Sequence, residues 1–329
     1  MSSPPRVRRA RELSLLERAM LFQPTPEAIP APASAEPIAP PAAEPATHVG
    51  ADADVASTLA AIPAEFLARA GADEDDVTPP PATPGIANID RGLLAESGMI
   101  VPGAPIGPLA EELRLVKRQL LITRQRIEAA GEADKSRTLL VCSARPGDGK
   151  TFCAINLALS IAAERDTEVL LVDADVAKPD ICRRLGLPNG PGLLDTLYDA
   201  QVDPESLVIA TDVPHLSILP AGAKTAMDTE LLASARTRAV VARLLAANPR
   251  RLIIFDSPPA LAASPAAVLA MQVGQVMLVV RADRTPESEV RAAVALLDSC
   301  EHIGLVLNAV SFVPDRHRFG SYYGLEHAA

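Results

Sequence analysis

The stretch Val-Cys-Ser-Ala-Arg-Pro-Gly-Asp-Gly-Lys-Thr, residues 141–151, decides the fold of this chain. It follows an apolar run and precedes a segment with helical periodicity. Gly147 and Gly149 let backbone N–H groups approach phosphate oxygens closely. Lys150 can neutralise the β- and γ-phosphates, the Thr151 hydroxyl can ligate Mg²⁺, and a helix dipole points its positive end at the same place. The stretch predicts a phosphate-binding loop, whose cofactor contacts also include Pro146, Asp148 and Phe152.

The loop departs from the pattern G-x-x-x-x-G-K-[ST] at one position, where Ala144 stands in place of the first glycine. A Gly-Lys-Thr triplet also occurs in ordinary glycine-rich turns, and the triplet alone leaves that alternative open. The strand before the loop and the helix after it favour nucleotide binding.

Composition divides the chain into three parts. More than half of the 31 prolines lie at or before Pro108, in a stretch rich in alanine and acidic residues. Such a segment buries too little apolar surface to offset its ordering entropy. We therefore expect residues 1–105 to be a largely disordered leader with short helices at 10–21 and 88–98. Residues 106–313 form the expected folded domain, and residues 314–329 a flexible tail.

Charge, hydropathy and cysteine spacing argue against a nucleic-acid-binding, membrane-spanning or disulfide-bonded protein. The net charge of −10 and the pI of about 5.1 argue against nucleic acid as a partner. The sequence contains no run of about 20 apolar residues and no secretory signal, so we expect a cytoplasmic protein. Four scattered cysteines without C-x-x-C spacing predict reduced thiols rather than a disulfide or zinc site.

After residue 105, apolar strands alternate with helices, which predicts an α/β fold with a doubly wound, mostly parallel sheet, a P-loop NTPase architecture. Thr285 is expected to cap the last helix, with Pro286 at its first position. The predicted strands are 138–142, 168–172, 216–220, 252–255, 276–280 and 304–307, and the predicted helices include 111–127, 150–163, 229–246 and 286–299.

Three aspartates follow predicted strands, at the edge of a parallel sheet where ligands bind. Asp173 and Asp175 are two residues apart and project to the same side of an extended chain, which suits a metal ion plus a hydroxyl-positioning base. A capping pair before a helix is the alternative. Asp256 ends another apolar strand and can hold Mg²⁺ through a water. A plain turn would also explain the sequence Asp-Ser-Pro-Pro at 256–259.

Together these motifs resemble those of the bacterial tyrosine autokinases (BY-kinases), which work in exopolysaccharide and capsule assembly. The resemblance covers residues 108–323. It includes the loop S-x-x-P-G-x-G-K-T, the Asp-x-Asp strand end and the later D-S-P-P, with further similar segments at 186–194, 219–222, 229–232, 279–281 and 306–308. Residues 14–19 and 89–98 are similar to the subgroup associated with exosortase-linked genes.

The resemblance implies ATP and Mg²⁺ as cofactors, with Asp173, Lys150 and Asp175 as catalytic residues. Asp173 would act as the base, and Lys150 with the loop amides would offset phosphoryl charge. Tyr322 and Tyr323 would be the phosphoacceptors, because Tyr198, the third tyrosine, lies in an expected core-packing stretch. A tail that merely holds aromatic residues is the alternative. The implied metal ligands are Thr151, Asp175 and Asp256.

The resemblance also implies partners. Glu111, Arg114 and Lys117 fall on the family's E-x-x-R-x-x-R motif, which makes subunit contacts, so a ring-like homo-oligomer is implied. The other implied partners are a separate membrane-embedded chain-length regulator that activates the kinase and a tyrosine phosphatase. The chain would lie at the inner face of the plasma membrane through that activator. Asn308 would contact adenine, although a turn-capping asparagine explains it equally well.

Several departures keep two rival functions open. Lys178 stands where the family often has arginine, Lys117 replaces the last arginine of the contact motif, and the tail holds only two tyrosines. One rival is a ParA/MinD-like ATPase, which shares the fold but usually has lysine at the position of Arg145. The other is a nucleotide-dependent scaffold that regulates polysaccharide assembly and phosphorylates nothing.

Overall fold

The computed structural model describes residues 85–225 and 227–311, which include a seven-stranded sheet ordered β3-β4-β2-β5-β1-β6-β7. Every neighbouring pair is parallel except β3 with β4, which is antiparallel. The α/β prediction is confirmed, and the short edge strand β3 is the one strand that it lacked. The strands are β1 (Thr138–Ser143), β2 (Glu168–Asp173), β3 (Ile209–Ala210), β4 (Leu216–Leu219), β5 (Arg251–Asp256), β6 (Gln275–Arg281) and β7 (Ile303–Asn308).

The register of the central strands places the acidic strand ends together. Asp173 of β2 lies opposite Asp256 of β5, and Asp256 lies opposite Val141 of β1. Because these strands are parallel, the loops that leave them all emerge at one edge of the sheet. This edge carries the phosphate-binding loop.

Helices cover both faces of the sheet. They are α1 (Arg91–Glu96), α2 (Pro108–Ala129), α3 (Ala133–Ser136), α4 (Lys150–Ala162), α5 (Ile181–Leu185), α6 (Leu193–Tyr198), α7 (Asp228–Ala233), α8 (Ala235–Ala247), α9 (Pro265–Ala270) and α10 (Glu287–Leu296), with a 3₁₀ turn at Pro204–Leu207.

Two helix predictions need correction. The helix expected at 229–246 is two helices, because Ser234 adopts an extended conformation with ψ of 160° between α7 and α8. The N-cap of α10 is Pro286 rather than Thr285. The Thr285 hydroxyl instead donates to Asp148 in the phosphate-binding loop, 2.9 Å away.

The sheet separates two hydrophobic cores because alternate side chains of each buried strand point to opposite faces. On one face, Leu140 and Phe255 pack in the core that contains α8, α9 and α10. On the other face, Val141 and Ile254 pack in the core that contains α4 and α5. A doubly wound sheet of this kind keeps its central strands fully buried.

The folded part begins earlier than the expected boundary between residues 105 and 106. Ile89, Leu94 and Met99 are buried against the α4 face of the sheet. The Ile100 N–H donates to Asn156 Oδ1 on α4 at 2.7 Å, and Asp90 caps α1. Residues 85–101 therefore belong to the domain, and α1 confirms the short helix expected within 88–98.

Other expectations have different outcomes. All four cysteines are buried and free, as predicted. In the ranges that the structure describes, no helix combines the length and the apolar character needed to cross a bilayer. The expected leader helix at 10–21, the tail at 314–329 and its tyrosines lie outside the described residues.

Tyr198 corrects a sequence-based interpretation. It was expected in a core-packing stretch, but it ends α6 and its surface is 75% exposed. Leu193, Leu194 and Leu197 carry the burial of this short helix, so its last residue is left on the solvent side.

Candidate functional site

The phosphate-binding loop connects β1 to α4 as the sequence predicts. Gly147 and Gly149 have φ of 85° and 96°, a region that side chains with a Cβ rarely adopt. Pro146 and Gly147 are exposed, whereas Asp148 is buried. Gly149 is the N-cap of α4 and makes no side-chain cap, which leaves the first turn of the helix available to an anion.

Lys150 contacts the acidic strand ends. Its Nζ lies 2.7 Å from Asp175 Oδ2 and 3.7 Å from Asp256 Oδ1, and it donates to Thr151 Oγ1 at 3.2 Å. Burial alone would lower the pKa of Lys150, but the attraction of Asp256 and Asp175 outweighs burial and raises it. In this structure the Lys150 ammonium therefore neutralises part of the negative charge of Asp175 and Asp256.

Asp173 makes the capping contacts that the sequence left open as an alternative, and it makes them with one oxygen only. Its Oδ2 accepts from the N–H groups of Asp180 and Ile181 at 3.0 and 3.1 Å, so it helps to start α5. Its Oδ1 is buried and has no hydrogen-bond partner among the described residues. Burial, and then repulsion by Asp256, raise the pKa of Asp173 to about 7.

Asp256 is a fully buried carboxylate at the end of β5. Within the described ranges, neither of its oxygens has a partner within 3.5 Å, and Lys150 Nζ pairs with Oδ1 from 3.7 Å. Burial raises its pKa to about 6, against the opposing attraction of Lys150. Buried polar atoms are normally satisfied, so these oxygens indicate a place for a further cationic or hydrogen-bonding group.

The residues fit a nucleotide-bound Mg²⁺ better than a free metal ion. Within the described part of the chain, no three His, Cys, Asp or Glu side chains are grouped so that they could hold a metal. Mg²⁺, however, typically takes one or two carboxylates and completes its shell with phosphate oxygens and water. Thr151, Asp175 and Asp256 fit that donor set, and the two oxygens of Asp256, which have no partner within 3.5 Å among the described residues, are consistent with it.

Asn308 lies beside the loop at the end of β7. Its Nδ2 donates to the Asp148 carbonyl at 2.8 Å, and its Oδ1 accepts from the Ala309 N–H at 2.9 Å. Both ends of the amide are therefore engaged with backbone here, and the adenine contact stays a prediction. Phe152, on the first turn of α4, packs half-buried against the α4 core.

The contact-motif residues lie on α2. Arg114 pairs with Glu111 along the helix at 2.6 Å, and its side chain is half-exposed. Lys117 Nζ reaches α4, where it lies 2.6 Å from Glu164 Oε1 and 3.1 Å from the Ser160 carbonyl. Lys117 thus attaches α2 to α4 within the chain, and the subunit contact expected of the three residues stays a prediction.

Sequence reasoning missed two residues at the site. Arg281 donates to the Gly147 carbonyl at 3.1 Å, and Thr285 binds Asp148. Both positions are more than 130 residues from the loop, and no local pattern marks them as loop partners.

Comparison with known proteins supports this description. A family model described as an AAA domain matches residues 136–286. The tyrosine-protein kinase YwqD of Bacillus subtilis is 30% identical over 237 residues, which are 71% of this chain and 94% of YwqD. A putative tyrosine-protein kinase of Ralstonia nicotianae, EpsB, is 33% identical over 67% of this chain, but the match spans only 28% of EpsB.

A solved structure has the same fold. The kinase domain of Escherichia coli tyrosine kinase ETK superposes with a TM-score of 0.54 at 24% identity, covering 70% of this chain and 94% of that domain. The match to YwqD covers nearly all of that kinase. The chain belongs to the family of bacterial tyrosine-protein kinases.

Proposed function

We propose that the chain is an ATP-dependent protein-tyrosine kinase that transfers the γ-phosphoryl group to Tyr322 and Tyr323 of a neighbouring copy. The observation that carries the proposal is the convergence of Lys150, Asp173, Asp175 and Asp256 beside a phosphate-binding loop. Family membership gives the reaction its class.

Asp173 is the proposed base. A tyrosine hydroxyl has a pKa near 10 and reacts better when a positioned group takes its proton. A carboxylate whose pKa is about 7 is suited to this at neutral pH, and Asp173 Oδ1 is free to accept. The bond between the tyrosine oxygen and the γ-phosphorus forms as the bond to the bridging oxygen breaks. ADP leaves and the proton goes to Asp173.

Lys150 changes partner in this proposal. Without nucleotide its ammonium neutralises Asp175 and Asp256. With ATP bound it moves to the phosphates, where it offsets the charge on the transferring group. Thr151, Asp175 and Asp256 would then hold Mg²⁺, which supplies neutralising charge to the β- and γ-phosphates. Asn308 would contact adenine through its Oδ1, which would leave the Ala309 N–H, while Nδ2 keeps the Asp148 carbonyl.

The cellular setting is part of the proposal. We place the chain in the control of exopolysaccharide chain length and export, as a member of the exosortase-associated subgroup. It would act at the inner face of the plasma membrane, where a membrane-embedded activator binds it. It would form a ring-like oligomer through Glu111, Arg114 and Lys117. A tyrosine phosphatase would remove the phosphate from its tyrosines. The motif resemblance on α2 and at the strand ends supports this setting.

Incubation with labelled ATP and Mg²⁺ tests the kinase activity. We expect label on wild-type protein, none on Lys150→Met, and none on a Tyr322→Phe, Tyr323→Phe double variant. Tyr198→Phe is the matched control, because it removes the exposed tyrosine of α6 and should leave labelling unchanged. Phosphate release without protein labelling would contradict the proposal and favour a regulatory P-loop ATPase of the ParA/MinD or scaffold type.

A further inference from the structure

We infer that Arg281, Thr285 and Asn308 are positioning residues that hold the phosphate-binding loop in the shape that receives a nucleotide. This inference rests on the proposed function, because it assigns these residues a role at the same ATP site. We call the three residues the loop brace. They come from the ends of β6 and β7 and from the segment before α10.

The loop has little to hold its shape by itself. Arg145, Pro146 and Gly147 are exposed, and the loop contains two glycines at positive φ. Glycine has more conformational freedom than any other residue, so an unsupported loop of this composition would sample many shapes. Inside the loop, Asp148 Oδ2 accepts from the Arg145 N–H at 3.0 Å, and the Ser143 hydroxyl donates to the Arg145 carbonyl at 2.8 Å.

Thr285 anchors the buried side chain of the loop. Asp148 is only 3% exposed, so its carboxylate needs partners for both oxygens. Oδ2 takes the Arg145 N–H, and Oδ1 takes the Thr285 hydroxyl at 2.9 Å. Without that hydroxyl, one oxygen of a buried carboxylate would lose its partner, which is costly for a charged group.

Asn308 and Arg281 anchor the backbone. The Asn308 amide donates to the Asp148 carbonyl at 2.8 Å, and the Arg281 guanidinium donates to the Gly147 carbonyl at 3.1 Å. A Cβ on Gly149 would lie 2.1 Å from Asn308 Nδ2, so glycine is needed there for space as well as for φ. A further contact, the ion pair between Arg145 and Glu289 of α10, lies on the same side.

The contacts of the brace determine where the N–H groups of the loop point. In a trans peptide the C=O and the next N–H point in opposite directions. Because the brace takes the carbonyl oxygens of Gly147 and Asp148, the N–H groups of Asp148 and Gly149 point away from it. Those N–H groups are then available to phosphate oxygens, as a phosphate-binding loop requires. The brace thus orders the loop before the nucleotide binds, which lowers the entropy cost of binding.

The brace predicts an effect on ATP affinity that is larger than its effect on fold stability. Thr285→Val keeps the shape of the side chain and removes the hydroxyl. Titration calorimetry with MgATP should give a Kd about tenfold or more weaker than wild type, the scale of a lost hydrogen bond to a charged group. Thr285→Ser restores the hydroxyl and should bind within about twofold of wild type on the same reasoning.

Two further variants complete the design. Arg281→Met removes the donor to the Gly147 carbonyl from a partly exposed site and should weaken ATP binding in the same direction as Thr285→Val. Glu287→Ala is the matched control, because among the described residues Glu287 pairs with Arg291 alone, along the surface of α10, and this variant should bind ATP like wild type. In the labelling assay, Thr285→Val should raise the KM for ATP and leave the rate at saturating ATP close to that of wild type.

The outcomes separate the two proposals. If wild-type protein takes up no MgATP, the proposed function fails. If wild type binds but Thr285→Val and Arg281→Met bind equally well, the loop brace is refuted while the function stands. The inference is also overturned if Thr285→Ser fails to restore binding, or if the affinity loss only follows a matching loss of thermal stability.

Discussion

Replacing Asp173 with asparagine should make the nucleotide-free protein more stable, by an amount that grows with pH. The amide oxygen can still accept from the Asp180 and Ile181 N–H groups, so the start of α5 keeps its cap. The change removes a charge that is buried and faces Asp256. The native carboxylate thus lowers stability wherever it is ionised, and the asparagine does not.

The size of this effect follows from the pKa of Asp173. Folding raises it from 3.8 to about 7, so the folded state holds the proton more tightly than the unfolded state. Wild-type stability from this group therefore falls as pH rises from about 4 to about 7. This difference between the folded and unfolded pKa lowers the free energy of unfolding by an amount on the order of 4 kcal/mol above pH 7. Between pH 5 and pH 8 the advantage of Asp173→Asn should grow by about 2 to 3 kcal/mol.

Urea unfolding at pH 5 and pH 8, without nucleotide, measures this difference. Asp166→Asn is the control, because it makes the same change of side chain at an exposed position between α4 and β2. Labelling by ATP should be lost in Asp173→Asn despite its higher stability. A constant stability difference between pH 5 and pH 8, or a less stable Asp173→Asn at pH 8, would refute a destabilising buried charge at Asp173.

Three further predictions concern other parts of the fold. Gly149→Ala should weaken MgATP binding in calorimetry by about tenfold or more, because a Cβ is strained at a φ of 96° and would displace the Asn308 amide; binding like wild type would contradict the loop geometry. Leu94→Ala should lower the free energy of unfolding by about 2 to 5 kcal/mol in a urea titration, since Leu94 is fully buried; a change below about 0.5 kcal/mol would mean that residues 85–101 do not pack on the domain. Lys150→Met should lose MgATP binding in calorimetry, and undiminished binding would show that Lys150 does not contribute to nucleotide binding.

The sheet and the catalytic edge could be predicted because their signals are local. Buried parallel strands are nearly continuous apolar runs, and each predicted strand lies within one or two residues of the observed one. Asp173 and Asp256 end such strands, and parallel pairing is sufficient to bring them together. The sequence could not predict that Oδ2 of Asp173 accepts from the start of α5 while Oδ1 accepts from no described residue. That difference depends on where α5 begins.

The parts that were missed depend on distant contacts. Thr285 precedes a proline and a helix, which is a good local N-cap pattern, yet its hydroxyl binds Asp148, 137 residues away. Residues 85–101 contain several large apolar side chains, but a composition rule applied to the whole proline-rich stretch assigns them to the leader. Ile89, Leu94 and Met99 are nevertheless enough, since each enters a core that the sheet and α4 have already built. Tyr198 is exposed because a six-residue helix buries only one side.

Mass spectrometry of the purified protein after incubation with MgATP tests the central claim most directly. Trypsin cleavage after Arg318 releases one peptide that carries both Tyr322 and Tyr323, because no lysine or arginine lies between them. If Lys150 and the three aspartates form a phosphoryl-transfer site, this peptide gains phosphate in wild type and stays unmodified in Lys150→Met. An unmodified peptide from wild-type protein that has consumed its ATP would contradict the account.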